Sequence, residues 1–128
     1  MLPRGDYFTE VMRRGSRKQM GVAGWIPDYM SASAMLDATF ACTARGDANV
    51  ENLSHVCDAR LDAAIDHAHS VSVGDAPAAW ASADRRVVDL AAAVPYVNAR
   101  VTVFVSKRVG NVTYHPTYST LLDRMWVR

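Results

Sequence analysis

Trp25 and Asp28 put an aromatic ring and a carboxylate three residues apart. At the end of a strand, where open sheets hold their ligands, such a pair would suit a molecule carrying an ammonium or another cation. A core tryptophan and a helix-proximal capping aspartate explain the same two residues, and spacing alone leaves both readings open. Cys42 and Cys57 are the only cysteines, and fourteen residues lie between them. No CxxC redox pair exists. A disulfide would stiffen the connection by roughly 3 kcal/mol on chain-entropy grounds and would place the chain in an oxidising compartment. Two buried free thiols are the alternative.

Other chemistry finds less support. His67 and His69 are two apart on an expected helix, so they point in nearly opposite directions and cannot grip one ion from it. Adding His55, Cys42 or Cys57 gives no zinc spacing, so no metal is expected, and the histidines suit a helix C-terminus. No nucleophile elbow or cysteine-protease signature is present, and the serines and aspartates fall at caps and turns. The reading is not an enzyme, with no cofactor. Gly21 and Gly24 lie within an expected strand rather than between strand and helix, so they make no phosphate loop.

The elements that would position these residues follow from periodicity. Asp6–Arg14 carries Tyr7, Phe8, Val11 and Met12 at helical spacing, with Gly15 as a stop and a polar turn over Ser16–Lys18. Met20–Trp25 reads as a short buried strand whose glycines imply close approach by a neighbour or a ligand. Pro27–Ser31 is a loop, and Ser31 or Ser33 is placed to cap a helix through about Phe40. Residues 42–57 have loop composition. Asp58 is an expected N-cap for a helix with Leu61, Ala64, Ile65 and Ala68 on one face. Asp75 and Pro77 start a second helix to about Ala92, its buried stripe being Trp80, Ala83, Val87, Leu90 and Ala91, with Pro95 ending it. Tyr96–Val105 alternates as a strand should. Residues 110–118 are irregular, and Thr120–Trp126 would make a last short helix. Mixed helices and strands with long connections indicate an α/β arrangement.

Composition sets the outer limits. The 128 residues carry a net charge of +1, 50% hydrophobic and 21% charged residues, enough for a core in one domain or part of one. No field favours nucleic acid, and in the N-terminal basic group (Arg4, Arg13, Arg14, Arg17, Lys18) no aromatic residue is interleaved among Arg13–Lys18 for base stacking. It reads as a solvated helix face and turn. No apolar run is long enough to span a membrane, and the first residues lack the apolar centre of a signal peptide.

Several segments together resemble family 5 extracellular solute-binding proteins, the oligopeptide- and dipeptide-binding components of ABC importers. Gly24-Trp25-Ile26-Pro27-Asp28-Tyr29 is similar to that family's G-W-x-x-D-Y segment. Phe40 through Asp58, with Asn49 and Asn52 between two cysteines, resembles the F-x-C…N…C-D connection of actinobacterial members. Leu61-Asp62-Ala63-Ala64-Ile65 with Ala68, Trp80–Pro95 running into a strand, Ser106–Val112 and the closing Leu121–Arg128 follow in the family's order. The resemblance implies the C-terminal portion of a two-lobed, type II periplasmic-binding-protein-like fold. Residues 1–95 would belong to the second ligand-binding lobe, and 96–128 would be a crossover strand and tail returning toward the first. Family members are several times longer, so the missing part would lie before Met1.

The function implied is capture of a peptide for delivery to permease subunits, at the cell surface or in the periplasm, in a family with lipoprotein members. The resemblance assigns Asp28 to the peptide's free ammonium and sets Trp25 and Tyr29 near the peptide backbone. Met30-Ser31-Ala32-Ser33 departs from a stretch that often contains proline in relatives, which bears on cleft shape. Without the other lobe, the chain is expected not to clamp a peptide. The alternative is a truncated, non-transporting structural or interaction protein that pairs through an open sheet edge.

Overall fold

Apolar residues at helical spacing need a surface to bury against, and those of 59–70 and 76–89 find it in each other. A computed structural model describes residues 6–13, 15, 19–46 and 51–128. Arg4, Arg14, Ser16, Arg17, Lys18 and Asn49, named above, lie outside the described residues. The helices are α1 (Tyr7–Met12), α2 (Ser33–Phe40), α3 (Ala59–Ser70) and α4 (Ala76–Asp89), with a 3-10 turn at Cys42–Ala44. The strands are β1 (Val109–Gly110), β2 (Tyr114–His115), β3 (Ser119–Thr120) and β4 (Trp126–Val127), and a 3-10 turn lies at Leu122–Arg124. The chain divides into two compact units, Met1–Val94 and Pro95–Arg128.

In the first unit, α3 starts as expected, because the Asp58 Oδ1 accepts the Leu61 N–H at 2.9 Å. Residues 71–75 turn the chain into α4, making a helical hairpin. Leu61, Ile65 and Ala68 of α3 and Ala79, Ala83 and Val87 of α4 are buried, and Leu36 and Phe40 of α2 close the core over them. The expected α4 stripe holds at Ala83 and Val87. Trp80 and Leu90 are half-buried, and Ala91 is exposed.

Two helix starts differ from expectation. The N-cap of α2 is Ala32, although the Ser31 Oγ accepts the Ser33 N–H at 3.3 Å from just outside the helix. Asp75 stands at the N-cap of α4 without capping it, since its Oδ2 accepts the Ser72 hydroxyl at 2.7 Å instead. Pro95 does not end α4. The helix stops at Asp89, where the Ala92 N–H reaches the Val87 carbonyl and the Ala91 N–H the Val88 carbonyl. This is a Schellman pair, and it requires Ala91 to take φ 51°, a left-handed conformation usually given to glycine.

The disulfide is present between Cys42 and Cys57. The described parts of the connection it closes, 43–46 and 51–56, are more ordered than their composition implied. Asn52 is wholly buried, and its Nδ2 donates to the carbonyls of Val56 (2.8 Å) and Ala41 (3.2 Å). Its Oδ1 accepts the Ser54 hydroxyl at 2.9 Å. Asp62 of α3 accepts the Cys42 N–H at 3.0 Å, so both ends of the bridge are tied to the same helix.

The expected strand at Met20–Trp25 is corrected. The segment forms no strand and joins no ladder among the described residues, and Met20 and Val22 are exposed. Tyr7 anchors it, its hydroxyl donating to the Val22 carbonyl at 2.7 Å and accepting the Val22 N–H at 2.6 Å. The neighbour implied by Gly21 is therefore α1. A Cβ at Gly21 would lie 2.8 Å from the Tyr7 hydroxyl. Gly15 has φ 80°, as a glycine beyond a helix end should.

The second unit corrects a second strand. Residues 96–105 alternate in sequence yet pair with nothing among the described residues. The strands that do form are antiparallel and nested: β1 pairs with β4, and β2 with β3 between them. Gly110 lies under the Trp126 ring, where a Cβ would overlap it. Thr120–Trp126 is not an α-helix but holds the 3-10 turn, from which Arg124 offers its carbonyl to the Asn111 side chain at 2.7 Å. Helix and antiparallel strand together are the fold class this chain shows.

Ala91→Gly relieves the left-handed alanine and is expected to stabilise the protein by about 1 kcal/mol. A higher urea midpoint at unchanged slope would register it. Replacing both Cys42 and Cys57 with serine is expected to cost about 3 kcal/mol in the same assay.

Candidate functional site

The loop that ends on α2 carries Trp25, Asp28 and Tyr29, and the structure anchors two of the three. Trp25 is half-buried, and its indole N–H donates to the Ala34 carbonyl at 2.7 Å. An indole N–H shielded from water needs such a partner, so this bond fixes the loop to the first turn of α2. The Tyr29 hydroxyl lies 3.2 Å from the Ser33 Oγ, which also meets the Ser31 Oγ at 2.9 Å. Ser33 is buried, so the hydroxyl chain is partly sheltered.

Asp28 is exposed and makes no hydrogen bond or ion pair among the described residues. The loop does not follow a paired strand, so the expected position beyond a sheet edge is not met. What it offers is one uncommitted carboxylate between two tethered aromatic side chains. Such a carboxylate accepts hydrogen bonds from an ammonium or guanidinium. In open solvent the pair contributes at most about 1 kcal/mol, and more only when a second surface excludes water.

Local spacing did not reveal a bidentate ion pair between the two helices of the hairpin. Arg86 donates from Nε to the Asp58 Oδ1 at 3.0 Å and from its terminal nitrogen to Oδ2 at 2.9 Å. This bidentate fork joins the start of α3 to the last turn of α4. Asp58 was legible as a cap, but its second role spans a helical hairpin that local spacing does not reveal. The Arg86 hydrogen bonds are the main cause that holds the Asp58 carboxyl below its ordinary range; the Leu61 N–H and the guanidinium charge add to this, and burial opposes it. The same hydrogen bonds raise Arg86 above its ordinary value.

The histidines serve as contacts. His69 sets its Nε2 2.9 Å from the Asp37 Oδ2 on α2 and meets the Trp80 ring edge-on at 4.9 Å. His67 lies exposed in the last turn of α3, where cationic or polar groups suit the helix dipole. In the second unit, the His115 Nδ1 accepts the N–H groups of Thr117 and Tyr118 at 3.1 and 3.2 Å, closing the β2–β3 turn. No cluster of three or more metal-ligating side chains occurs among the described residues. A shallow groove of about 280 Å³ along α3 and α4 is lined by Arg60, Ala64, Ser82, Arg85, Arg86 and Asp89, but Arg86 is already engaged with Asp58. No helix among the described residues is long and apolar enough to cross a membrane.

No protein-family model, curated protein or solved structure matches the chain.

A carboxyl whose folded pKa is depressed stabilises fully above its unfolded value, near about 4, and loses that stabilisation as pH falls through the folded value. Arg86, raised in the folded state, would lose its share only in strong alkali. Urea unfolding followed against pH is therefore expected to show a plateau at neutral pH and a fall on acidification. Asp58→Asn should be less stable at neutral pH and show a smaller acid loss, whereas an unchanged acid limb would remove Asp58 as its source.

Proposed function

We propose that this chain is part of a solute-binding protein that captures oligopeptides or dipeptides for an ABC permease, with Asp28 receiving the peptide's free ammonium. The observation that carries this reading is the uncommitted Asp28 carboxylate on a loop held at Trp25 and Tyr29. Exposed polar groups without internal partners cost nothing to leave open, and a ligand ammonium supplies the missing charge. The resemblance of residues 24–29 to the G-W-x-x-D-Y segment supports the same assignment. On this reading the first unit contributes to one lobe of a type II binding fold, and the second begins the return toward the other. Capture works by closure of two lobes, without chemistry on the ligand. The disulfide suits an extracellular or periplasmic location.

One side of a cleft holds an ammonium weakly, so this chain alone is expected to bind peptides more weakly than a Kd of about 1 mM. Amide NMR shifts at residues 25–33 should appear with peptides bearing a free N-terminus and vanish with N-acetylated ones. Asp28→Asn should abolish the difference. Shifts indifferent to acetylation would retire Asp28 as the anchor.

The unpaired segment 96–105 favours a second reading, a truncated structural or interaction protein that recruits another chain through an open edge.

A further inference from the structure

Three arginines line the shallow groove along α3 and α4, and they differ in how they are held. Arg86 is fixed, since its Nε and Nη2 donate to the two carboxylate oxygens of Asp58. A guanidinium carries five N–H groups, so this fork leaves three of them unused. Arg60 and Arg85 are exposed, and their side chains make no hydrogen bond or ion pair among the described residues. Ser82 adds a hydroxyl, and Asp89 is the one carboxylate in the lining. The grouping follows from helical spacing: Ser82, Arg85, Arg86 and Asp89 recur at i, i+3, i+4 and i+7 on α4, and Arg60 and Ala64 stand one turn apart on α3.

Charge and size together define the ligand. Three guanidiniums against Asp89 give the lining a charge of +2, or +1 once Asp58 is counted. Like charges gathered along one groove repel, and a bound anion relieves that repulsion. The volume of about 280 Å³ lies just below the range of about 300–1,000 Å³ common for small-molecule sites, so a compact ligand fits and a polypeptide segment does not. A carboxylate has two oxygens, and a single guanidinium fork meets both. A phosphate group offers more acceptor oxygens and up to two negative charges, so it can draw on several guanidiniums at once.

We propose that the groove along α3 and α4 binds a phosphate group, free or carried by a small ester, with Arg60 and Arg85 donating to its oxygens and Arg86 adding the N–H groups its fork leaves unused. Because Asp58 holds Arg86 in place, that donor loses little freedom on binding, whereas Arg60 and Arg85 must be ordered by the ligand. Asp89 opposes the anion.

Amide NMR of the full chain tests it, with inorganic phosphate, glycerol 3-phosphate and acetate as probes at equal ionic strength. None of the three carries an ammonium, so the outcome does not depend on Asp28 or on peptide transport. A phosphate probe is expected to shift the amides of residues 58–64 and 82–89 saturably, and acetate should bind at least about threefold more weakly. Binding of both phosphates supports a site that reads the phosphate alone, and binding of the ester alone supports one that reads the attached group as well. Arg60→Gln and Arg85→Gln leave the Asp58 fork intact, and each should weaken phosphate binding by about threefold to fivefold. Asp89→Asn should strengthen it, and Arg100→Gln in the second unit should leave it unchanged. Affinity should fall as sodium chloride rises from about 50 to 200 mM, and helical circular dichroism should be the same in every variant. The proposal is overturned if neither phosphate gives a saturable shift, if acetate binds as well, or if Arg60→Gln and Arg85→Gln are both without effect. It is also overturned if Arg100→Gln weakens binding as much as they do, because diffuse surface charge would then be the cause.

Discussion

Close approach of α3 and α4 is the constraint on which the first unit rests. Small residues make the approach feasible: Ala64 and Ala68 on one helix and Ala79 and Ala83 on the other leave room for Leu61, Ile65 and Val87 to interlock. Leu61 and Ala83 are wholly buried, so little slack remains at the seam. The connection 71–75 closes one end of the hairpin, and the Asp58–Arg86 fork clasps the other. Because Asp58 also caps α3, one carboxylate starts a helix and fixes its partner. The remaining elements are laid on this pair. Leu36 and Phe40 bring α2 down upon it, and Asp62 draws in the Cys42 end of the bridged connection.

That arrangement fixes the loop bearing Asp28 indirectly. The first turn of α2 is buried at Ser33 and Ala34, and these residues receive the side chains of Tyr29 and Trp25. The loop is thus held by its aromatic residues to a helix that is itself held by the hairpin. Asp28 gains a defined location without being used in the packing. Within the bridged connection, Asn52 performs a comparable task by bonding to Ala41 and Val56, tying the two ends together beside the disulfide.

The parts legible in the sequence are those governed by local rules. The spacing of Leu61, Ile65 and Ala68, the Asp58 cap and the Cys42–Cys57 pairing each depend on near neighbours or on the absence of another partner. The Arg86 fork and the burial of Asn52 were not legible, because both depend on residues brought together only by the fold. Ala91 hid the end of α4: a left-handed alanine carries no composition signal, and Pro95 offered a plausible but later stop. The two misread strands show a related limit. Alternation over 96–105 specifies a face and a pleat but says nothing of a partner, and a ladder exists only when two segments meet. For the candidate site, sequence located Trp25, Asp28 and Tyr29, while the tethers to Ala34 and Ser33 emerged only from the placement of α2.

A division of labour among polar groups follows from these contacts. Several buried or structural polar groups are satisfied within the chain: Asn52 inside its loop, Asp58 on Arg86 and the Leu61 N–H, and the His115 Nδ1 under its turn, whereas the Asp37 Oδ1 is buried without a partner among the described residues. Pairing them matters because an unpaired buried donor or acceptor costs about 1–3 kcal/mol. Asp28 and the backbone of 95–105 lie outside that requirement, since water satisfies them. Water also leaves them available. A partner can replace it at little polar cost provided that it returns every hydrogen bond, and at Asp28 the gain then comes from charge, a single carboxylate recognising one cationic group.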